Sequence, residues 1–295
     1  MKPQDFDFIR GLMRERSGLV LAADKVYLVE SRLLPVARRR GMAAIEDLVQ
    51  AVRQRRDEAL MVEITDAMTT NESFFFRDIK PFDNLRDSIL PQIAERRRAA
   101  GKSQIRIWCA ACSSGQEPYS IAMLLKENAA KLAGFRFEIV ATDLSTEILS
   151  KATAGIYTQF EVQRGLPIQL LLKYFKKNGD LWQIDAGVRS MVSYRHYNLL
   201  DAFTPLGAFD IVFCRNVLIY FDQPTKSDIL RRLSKQMPPD GALFLGGAES
   251  VMGLTDAFKP IQGLRGIYAQ SPALDLPATA TAPAAPRPAV ASGAA

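Results

Sequence analysis

The sequence predicts an α/β protein with an open, mainly parallel sheet of the Rossmann type, and three observations support this prediction. Residues 1–75 carry apolar side chains at helical spacing. After residue 103, short apolar runs alternate with helical stretches, as in parallel sheets with crossover helices. Between residues 155 and 193 this alternation breaks. We therefore expect an all-helical N-terminal domain with a linker (1–80), an α/β domain (81–270) and a small antiparallel β-subdomain inserted at 155–193.

Helices are expected throughout the N-terminal domain. The first is indicated by apolar residues three or four positions apart: Val26, Val29, Leu33 and Val36. Gly41 follows three consecutive arginines, and glycine is frequent directly after the last turn of a helix. A second helix is expected at about 44–53. A third follows the acidic pair Asp57-Glu58, which suits a helix N-terminus.

The strands of the α/β domain are indicated by short apolar runs at 105–109, 135–141, 209–214 and 242–245. Helices are expected near 118–132, 146–153 and 224–236. Inside the insertion, Asn178-Gly179 separates two apolar stretches and predicts a hairpin turn. Residues 271–295 are mostly alanine, proline, threonine and serine, so we expect a disordered tail there.

The composition excludes several kinds of site. His196 is the only histidine, which rules out mechanisms that need two. Cys109 and Cys112 form a C-x-x-C pair, but no second pair completes a tetrahedral zinc site, so no metal is expected. No apolar run approaches the roughly 20 residues that span a bilayer, and the first residues lack the order of a signal peptide. We expect a cytoplasmic protein without membrane insertion.

The loop after the first predicted strand is the strongest candidate for a ligand site. It runs from Ile107 to Ser120 through small residues into a helix opened by Pro118. Small side chains let a ligand approach the backbone at the carboxyl end of a strand. The loop is neither a G-x-G-x-x-G nor a lysine-bearing P-loop, so a diphosphate is disfavoured. Glu117 suits a ligand with a cationic amino group, although it could also serve only as a helix cap.

Other polar residues are expected at the same edge of the sheet. Asp143 ends the second strand, where a carboxylate can accept hydrogen bonds from the hydroxyls of a ribose. Arg215, Asn216 and Tyr220 follow the strand at 209–214. Because the carboxyl ends of parallel strands meet at one edge, these side chains and Glu117 are expected to line one crevice.

The linker at 69–77 contains three adjacent phenylalanines followed by Arg77. The aromatic run is typical of linker packing, but it could also form an apolar lid over a ligand. Arg77 could attract the carboxylate of a substrate, and Arg215 is a second candidate for that role.

Together these segments resemble the CheR family of chemotaxis receptor methyltransferases, which form glutamyl methyl esters on bacterial chemoreceptors. The resemblance rests on five segments that occur in family order: 69–77, 108–123, 141–145, 197–200 and 209–221. It implies a seven-stranded methyltransferase sheet. It also implies an enzyme that uses S-adenosylmethionine (SAM) as the methyl donor and releases S-adenosylhomocysteine. The β-subdomain of the family is inserted after the second strand and its helix.

The resemblance also implies the site residues. In the family the cofactor is held at positions that match Asn71, Ser73, Arg77, Glu117, Asp143, Asn198, Leu199, Arg215 and Asn216. The position that matches Tyr220 lies near the reacting centre in the family, so we expect Tyr220, together with Arg77, to be catalytic. Ser73 stands where threonine is usual in the family, and it keeps the hydroxyl group.

The implied partners are the cytoplasmic helices of methyl-accepting chemoreceptors, and a monomer is expected. The arginine runs at 38–40, 53–56 and 96–98 suit acidic partners, although such runs are also typical of solvated helix faces. Two alternatives remain open. One is a nucleic-acid methyltransferase, for which no Asn-Pro-Pro-Tyr motif is present. The other is a non-catalytic SAM-binding docking module, which would not need Arg77 and Tyr220.

Overall fold

The N-terminal unit of the structure, a computed structural model that describes residues 1–55 and 57–270, is a helical bundle. Its helices are α1 (Pro3–Ser17), α2 (Val26–Arg39), α3 (Ile45–Arg55) and α4 (Glu58–Met68). Helices α2, α3 and α4 were predicted from the apolar spacing, whereas α1 was not predicted. Gly41, with a φ of 72°, follows α2, and the Asp57 side chain accepts a hydrogen bond from Leu60 N at 3.1 Å at the start of α4.

The linker leads into a long helical segment before the sheet begins. This segment consists of α5 (Lys80–Asn84), a π-helical turn (Leu85–Ile89) and α6 (Leu90–Ala99). Its arginine run at 96–98 is not simply a solvated face. The buried Arg97 donates hydrogen bonds to Asp210 at 2.6 Å and to Asp240 at 2.8 Å, so it ties α6 to the loops below the sheet.

The main sheet has seven strands in the order β6-β2-β1-β7-β8-β10-β9. Their bounds are β1 (Gln104–Ala110), β2 (Arg136–Asp143), β6 (Val192–His196), β7 (Ile211–Cys214), β8 (Ala242–Leu245), β9 (Lys259–Pro260) and β10 (Ile267–Ala269). The first five in the spatial order are parallel, and β10 pairs antiparallel with β8 and β9. The crossover helices include α7 (Gln116–Glu127), α8 (Thr146–Ala154) and α12 (Gln223–Lys235). This arrangement confirms the predicted fold class.

The insertion is a separate three-stranded antiparallel sheet in the order β3-β5-β4. Its strands are β3 (Ile156–Thr158), β4 (Phe175–Asn178) and β5 (Leu181–Ile184), accompanied by the short helices α9 (Gln159–Gln163), α10 (Ile168–Tyr174) and α11 (Ala186–Arg189). The hairpin at Asn178-Gly179 is present. The predicted end of the insertion at residue 193 is wrong, because β6 pairs with β2 in the main sheet. A short strand pattern does not reveal which sheet the strand joins.

The other domain boundaries stay predictions, and the tail at 271–295 lies outside the described residues. Within those residues, no helix is both long and apolar enough to cross a membrane.

The helical bundle is fixed to the sheet at the end of α1. The Asn198 side chain donates a hydrogen bond to the Arg16 carbonyl at 2.6 Å, and Val20 N donates to the Tyr220 carbonyl at 3.0 Å. Gly18 ends α1 with a φ of 73°, and a Cβ there would lie 2.7 Å from the Phe221 ring. The absence of a side chain at Gly18 therefore lets the bundle approach the sheet this closely.

Gly18→Ala should lower the free energy of unfolding by about 1–3 kcal/mol, because alanine disfavours positive φ and its methyl group meets the Phe221 ring. Gly11→Ala is the matched control, since Gly11 lies inside α1 with open space around it. We expect Gly11→Ala to stabilise the protein by about 0.5–1 kcal/mol through helix propensity. Urea unfolding measures both values, and equal effects would contradict this account of the contact.

Candidate active site

A cavity opens at the carboxyl ends of β1, β2 and β7, where the sequence predicts a ligand site. Its volume is about 1010 Å³ when its open mouth is included. All ten residues predicted for the site line this cavity: Asn71, Ser73, Arg77, Glu117, Asp143, Asn198, Leu199, Arg215, Asn216 and Tyr220. The structure thus brings the predicted residues together, and the role of each one stays a prediction.

Arg215 lies at the buried centre of the site, with 1% of its side chain exposed. Its Nη1 donates to Glu117 Oε2 at 2.8 Å, and its Nη2 donates to Asp78 Oδ2 at 2.7 Å. Nη2 also donates to the Arg77 carbonyl at 3.1 Å. Because two carboxylates already neutralise this guanidinium, Arg215 is a poor candidate for attracting the carboxylate of a substrate. It joins the linker, α7 and the end of β7 instead.

Glu117 occupies the first turn of α7 and is buried. Burial raises the pKa of Glu117, and the neighbouring Arg215 lowers it. The effect of burial is larger, so the pKa lies above its ordinary value. A carboxylate offers about four acceptor positions, so the ion pair with Arg215 leaves Glu117 able to accept hydrogen bonds from a ligand. An ionised carboxylate in this position can bind an ammonium group.

Asp143 is held by the backbone of the two neighbouring loops. Its Oδ2 accepts from Ser113 N at 2.8 Å, and its Oδ1 accepts from Ser145 N at 3.0 Å. Burial raises the pKa of Asp143, and these backbone hydrogen bonds counteract the rise. The loop after β1 reaches Asp143 through backbone with positive φ at Ala111 (55°) and Ser113 (52°). The carboxylate is therefore fixed in position at the cavity wall.

The turn after β7 carries Asn216 and Tyr220 and depends on a residue that the sequence analysis missed. Glu249, which is buried, accepts hydrogen bonds from the backbone N–H groups of Asn216 and Leu218, both at 2.7 Å. It also accepts from Gly246 N at 2.7 Å. These bonds hold Asn216 at a φ of 60°. No local pattern identifies Glu249, because its partners in the turn after β7 lie about thirty residues earlier in the chain.

The linker lines the cavity with polar residues, and its phenylalanines do not form a lid. The residues of the aromatic run, 74–76, lie outside the cavity lining. Phe75 is fully buried against Tyr157 and Phe175 of the insertion, with ring centroids 5.0 and 5.5 Å away. The apolar-lid hypothesis is therefore wrong, and the aromatic run anchors the linker to the insertion.

Arg77 lies beside this anchor and is held on two sides. Its Nη1 donates to the Glu72 carbonyl at 2.9 Å, and its guanidinium carbon is 5.5 Å from the centre of the Phe74 ring. A guanidinium has five N–H donors, so these contacts leave donors for a further partner.

The helical bundle also contributes to the cavity, which the sequence analysis did not anticipate. Ser17 and Leu19, which end and follow α1, lie on the lining. The Asn198 side chain faces them and is engaged with the Arg16 carbonyl, while the Leu199 carbonyl accepts from Arg232 at 2.7 Å. The predicted cofactor residues Asn198 and Leu199 therefore also support the fold.

Comparison with known proteins identifies the family. Residues 4–69 match the model described as CheR methyltransferase, all-alpha domain, and residues 71–267 match CheR methyltransferase, SAM binding domain. The chain belongs to the CheR methyltransferase family. Chemotaxis protein methyltransferase 1 of Pseudomonas aeruginosa is 43% identical over 269 residues, which cover 89% of this chain and 96% of that protein. Chemotaxis protein methyltransferase Cher2 of Pseudomonas putida is 41% identical over 271 residues, covering 90% and 98%.

Membership of the CheR family confirms the resemblance seen in the sequence. It establishes a SAM-dependent methyltransferase of the chemotaxis type, and it favours neither the nucleic-acid methyltransferase nor the non-catalytic docking module.

The residues of the cavity fit SAM. Glu117 can accept the ammonium group of the aminoacyl end, and Asp143 can accept the ribose hydroxyls. Arg215 Nε is buried and has no hydrogen-bond partner among residues 1–55 and 57–270, so it is a donor that a ligand carboxylate would satisfy. Glu117 thus suits the ammonium group of an amino acid, and Arg215 offers a single hydrogen-bond donor, because its charge is already balanced by Glu117 and Asp78.

The affinity for S-adenosylhomocysteine should fall as the pH falls through the raised pKa of Glu117, because protonation removes the charge that attracts the ligand ammonium. The decline should begin above the ordinary value of 4.5. Calorimetry over a pH series measures this dependence. Glu117→Gln should lower the affinity at neutral pH and flatten the profile, and an unchanged profile in that variant would refute the role of Glu117.

Proposed function

We propose that this enzyme transfers the methyl group of SAM to glutamate side chains of chemoreceptors and forms glutamyl methyl esters. The proposal rests on the types of side chain that line the cavity. Among the described residues, its lining contains Arg77 and Tyr220 but neither histidine nor lysine. Such a site can bind and orient a carboxylate, and its described lining offers no histidine or lysine to remove a proton from another kind of acceptor. Its buried carboxylates are engaged, Glu117 by Arg215 and Asp143 by backbone N–H groups.

A glutamate acceptor needs no such base. Its unperturbed pKa is about 4.3, so it is already ionised at neutral pH. When bound, SAM supplies an electrophilic methyl group on a sulfonium, so a carbon–oxygen bond forms as the carbon–sulfur bond breaks. The reaction neutralises a negative and a positive charge, and a site that excludes water favours it. The chain contributes mainly by aligning the two reactants.

Arg77 is the residue best placed to orient the acceptor. Its guanidinium is fixed by the Glu72 carbonyl and by the Phe74 ring, so little freedom is lost when a carboxylate binds. An arginine that engages both carboxylate oxygens would stabilise the ground state and slow the attack. We therefore propose a contact with one oxygen, which leaves the other free to attack. Tyr220, in the turn after β7, contributes to the wall beside the reacting groups.

The arginine runs of the helical bundle contribute unequally to a partner surface. Arg40 pairs with Glu63 at 2.6 Å, and Arg53 lies 3.4 Å from Asp5, so both are engaged within the bundle. Arg38 and Arg39 are exposed at the end of α2 and suit an acidic receptor helix. Arg56 lies outside the described residues.

The proposed function is tested by incubating the protein with SAM labelled in its methyl group and a cytoplasmic receptor fragment. We expect label on the receptor that mild base releases as methanol, because esters are labile to base. Label that resists base, or label that appears only on added RNA, would contradict the proposal.

Arg77→Ala should reduce kcat/KM in this assay about 10- to 100-fold, the effect of losing one charged hydrogen bond of 1.5–3 kcal/mol. Arg164→Ala is the matched control. Arg164 also stacks on the Phe74 ring, at 4.4 Å, and pairs with Glu72, but it lies outside the cavity lining. A loss of similar size in both variants would show that Arg77 acts only through the packing of Phe74.

A further inference from the structure

A second cavity adjoins the cofactor cavity beside Arg77, the residue proposed to orient the acceptor. It is a groove of about 1860 Å³, including its open mouth. Arg77, Arg215 and Asn216 line both the groove and the cofactor cavity. Arg215 contacts Glu117, which suits the aminoacyl end of the cofactor, whereas Asp143 lines only the cofactor cavity. The groove therefore meets the cofactor cavity on the side of Arg77 and Arg215, away from the proposed ribose residue Asp143.

The carboxylates that line the groove have partners within the protein, whereas two of its cations form no ion pair with other described residues. Its two carboxylates are already engaged, since Asp78 pairs with Arg215 and Glu249 accepts backbone N–H groups. Lys80 and Arg265 are exposed and make no ion pair with any other residue of 1–55 and 57–270. The groove thus presents positive charge that the described protein does not neutralise.

The wall that faces these cations is rigid and open. It contains the glycines of the loop after β8, which Glu249 fixes through its hydrogen bonds to Gly246 N and to the turn after β7. A Cβ added at Gly247 would meet nothing within 4 Å, so the loop leaves room for another chain. Ile79 and Met252 do not line the groove, but they lie within two positions of residues that do, and 62% and 78% of them are accessible to solvent. Cations beside exposed apolar groups suit an amphipathic acidic segment.

We propose that this groove binds the acidic segment of the substrate protein that surrounds the reacting glutamate. In this arrangement Lys80 and Arg265 contact carboxylates that flank the methylated one, and Arg77 at the junction receives the reacting side chain. The inference rests on the proposed function and adds the surface that selects the acceptor. The enzyme should then methylate glutamates that have acidic neighbours in the sequence of the substrate in preference to isolated glutamates.

The charges are tested with Lys80→Glu, Arg265→Glu and the double variant. Each single reversal should raise the KM for the receptor fragment about three- to tenfold at low salt, with a smaller effect at high salt. The affinity for S-adenosylhomocysteine should change less than twofold, because neither residue lines the cofactor cavity. Lys235→Glu is the matched control, as Lys235 lines a cavity at the opposite edge of the sheet. Equal KM values in Lys235→Glu and the double variant would overturn the proposal.

The space is tested independently of charge with Gly247→Leu. The backbone at Gly247 does not have positive φ and its surroundings are open, so the side chain should obstruct the groove without straining the loop. We expect a higher KM for the receptor fragment and an unchanged melting temperature. Gly11→Leu adds the same side chain to an open position on α1 and should leave the KM unchanged. An unaltered KM in Gly247→Leu would contradict occupation of the groove.

Two further measurements separate the possible failures. If the wild-type protein forms no base-labile ester, the proposed function fails. Fluorescence anisotropy of the labelled receptor fragment still tests whether the groove binds that fragment. Weaker binding of the fragment by Lys80→Glu supports the proposal that the groove binds the receptor. Unchanged binding by this variant overturns that proposal. A homopolymeric RNA that binds the wild type but not the double variant, without a change in receptor KM, would assign the groove to nucleic acid instead.

Discussion

The site depends on the burial of a single guanidinium, that of Arg215. An arginine with 1% of its side chain exposed is stable only if carboxylates compensate its charge. Glu117 and Asp78 do so from the first turn of α7 and from the linker. The requirement for charge balance therefore fixes three segments relative to each other. It also places an ionised carboxylate at the wall of the cofactor cavity, where burial alone would favour the neutral acid.

Much of the fold follows from local sequence patterns. The apolar runs at the positions of β1, β2, β7 and β8 are short and continuous, as strands buried on both faces must be. Once those strands are parallel, Glu117 and Asp143 necessarily lie at one edge of the sheet. The resemblance to the CheR family supplied what the pattern did not, namely that residues of the linker and of the segment after β6 join the same cavity.

The features that the sequence did not reveal all depend on contacts between distant residues. Glu249 supports the turn after β7 through hydrogen bonds to backbone groups, so the identity of its partners leaves no trace in the sequence. Asp78 resembles any exposed linker residue until Arg215 is seen beside it. The phenylalanines of the linker suggested a lid because hydrophobicity predicts burial but not the partner, and the partner of Phe75 is the insertion.

The most direct test of the role of Arg215 is the affinity for S-adenosylhomocysteine, measured by calorimetry, in Arg215→Met and in Arg215→Met combined with Glu117→Gln. Removing one partner of a buried ion pair costs about 3–5 kcal/mol, so Arg215→Met should unfold more easily than the double variant. Both should bind at least about 100-fold more weakly than the wild type, because Arg215→Met removes the cation that lowers the pKa of Glu117 and the double variant also removes the carboxylate itself. Wild-type affinity in Arg215→Met would contradict the account.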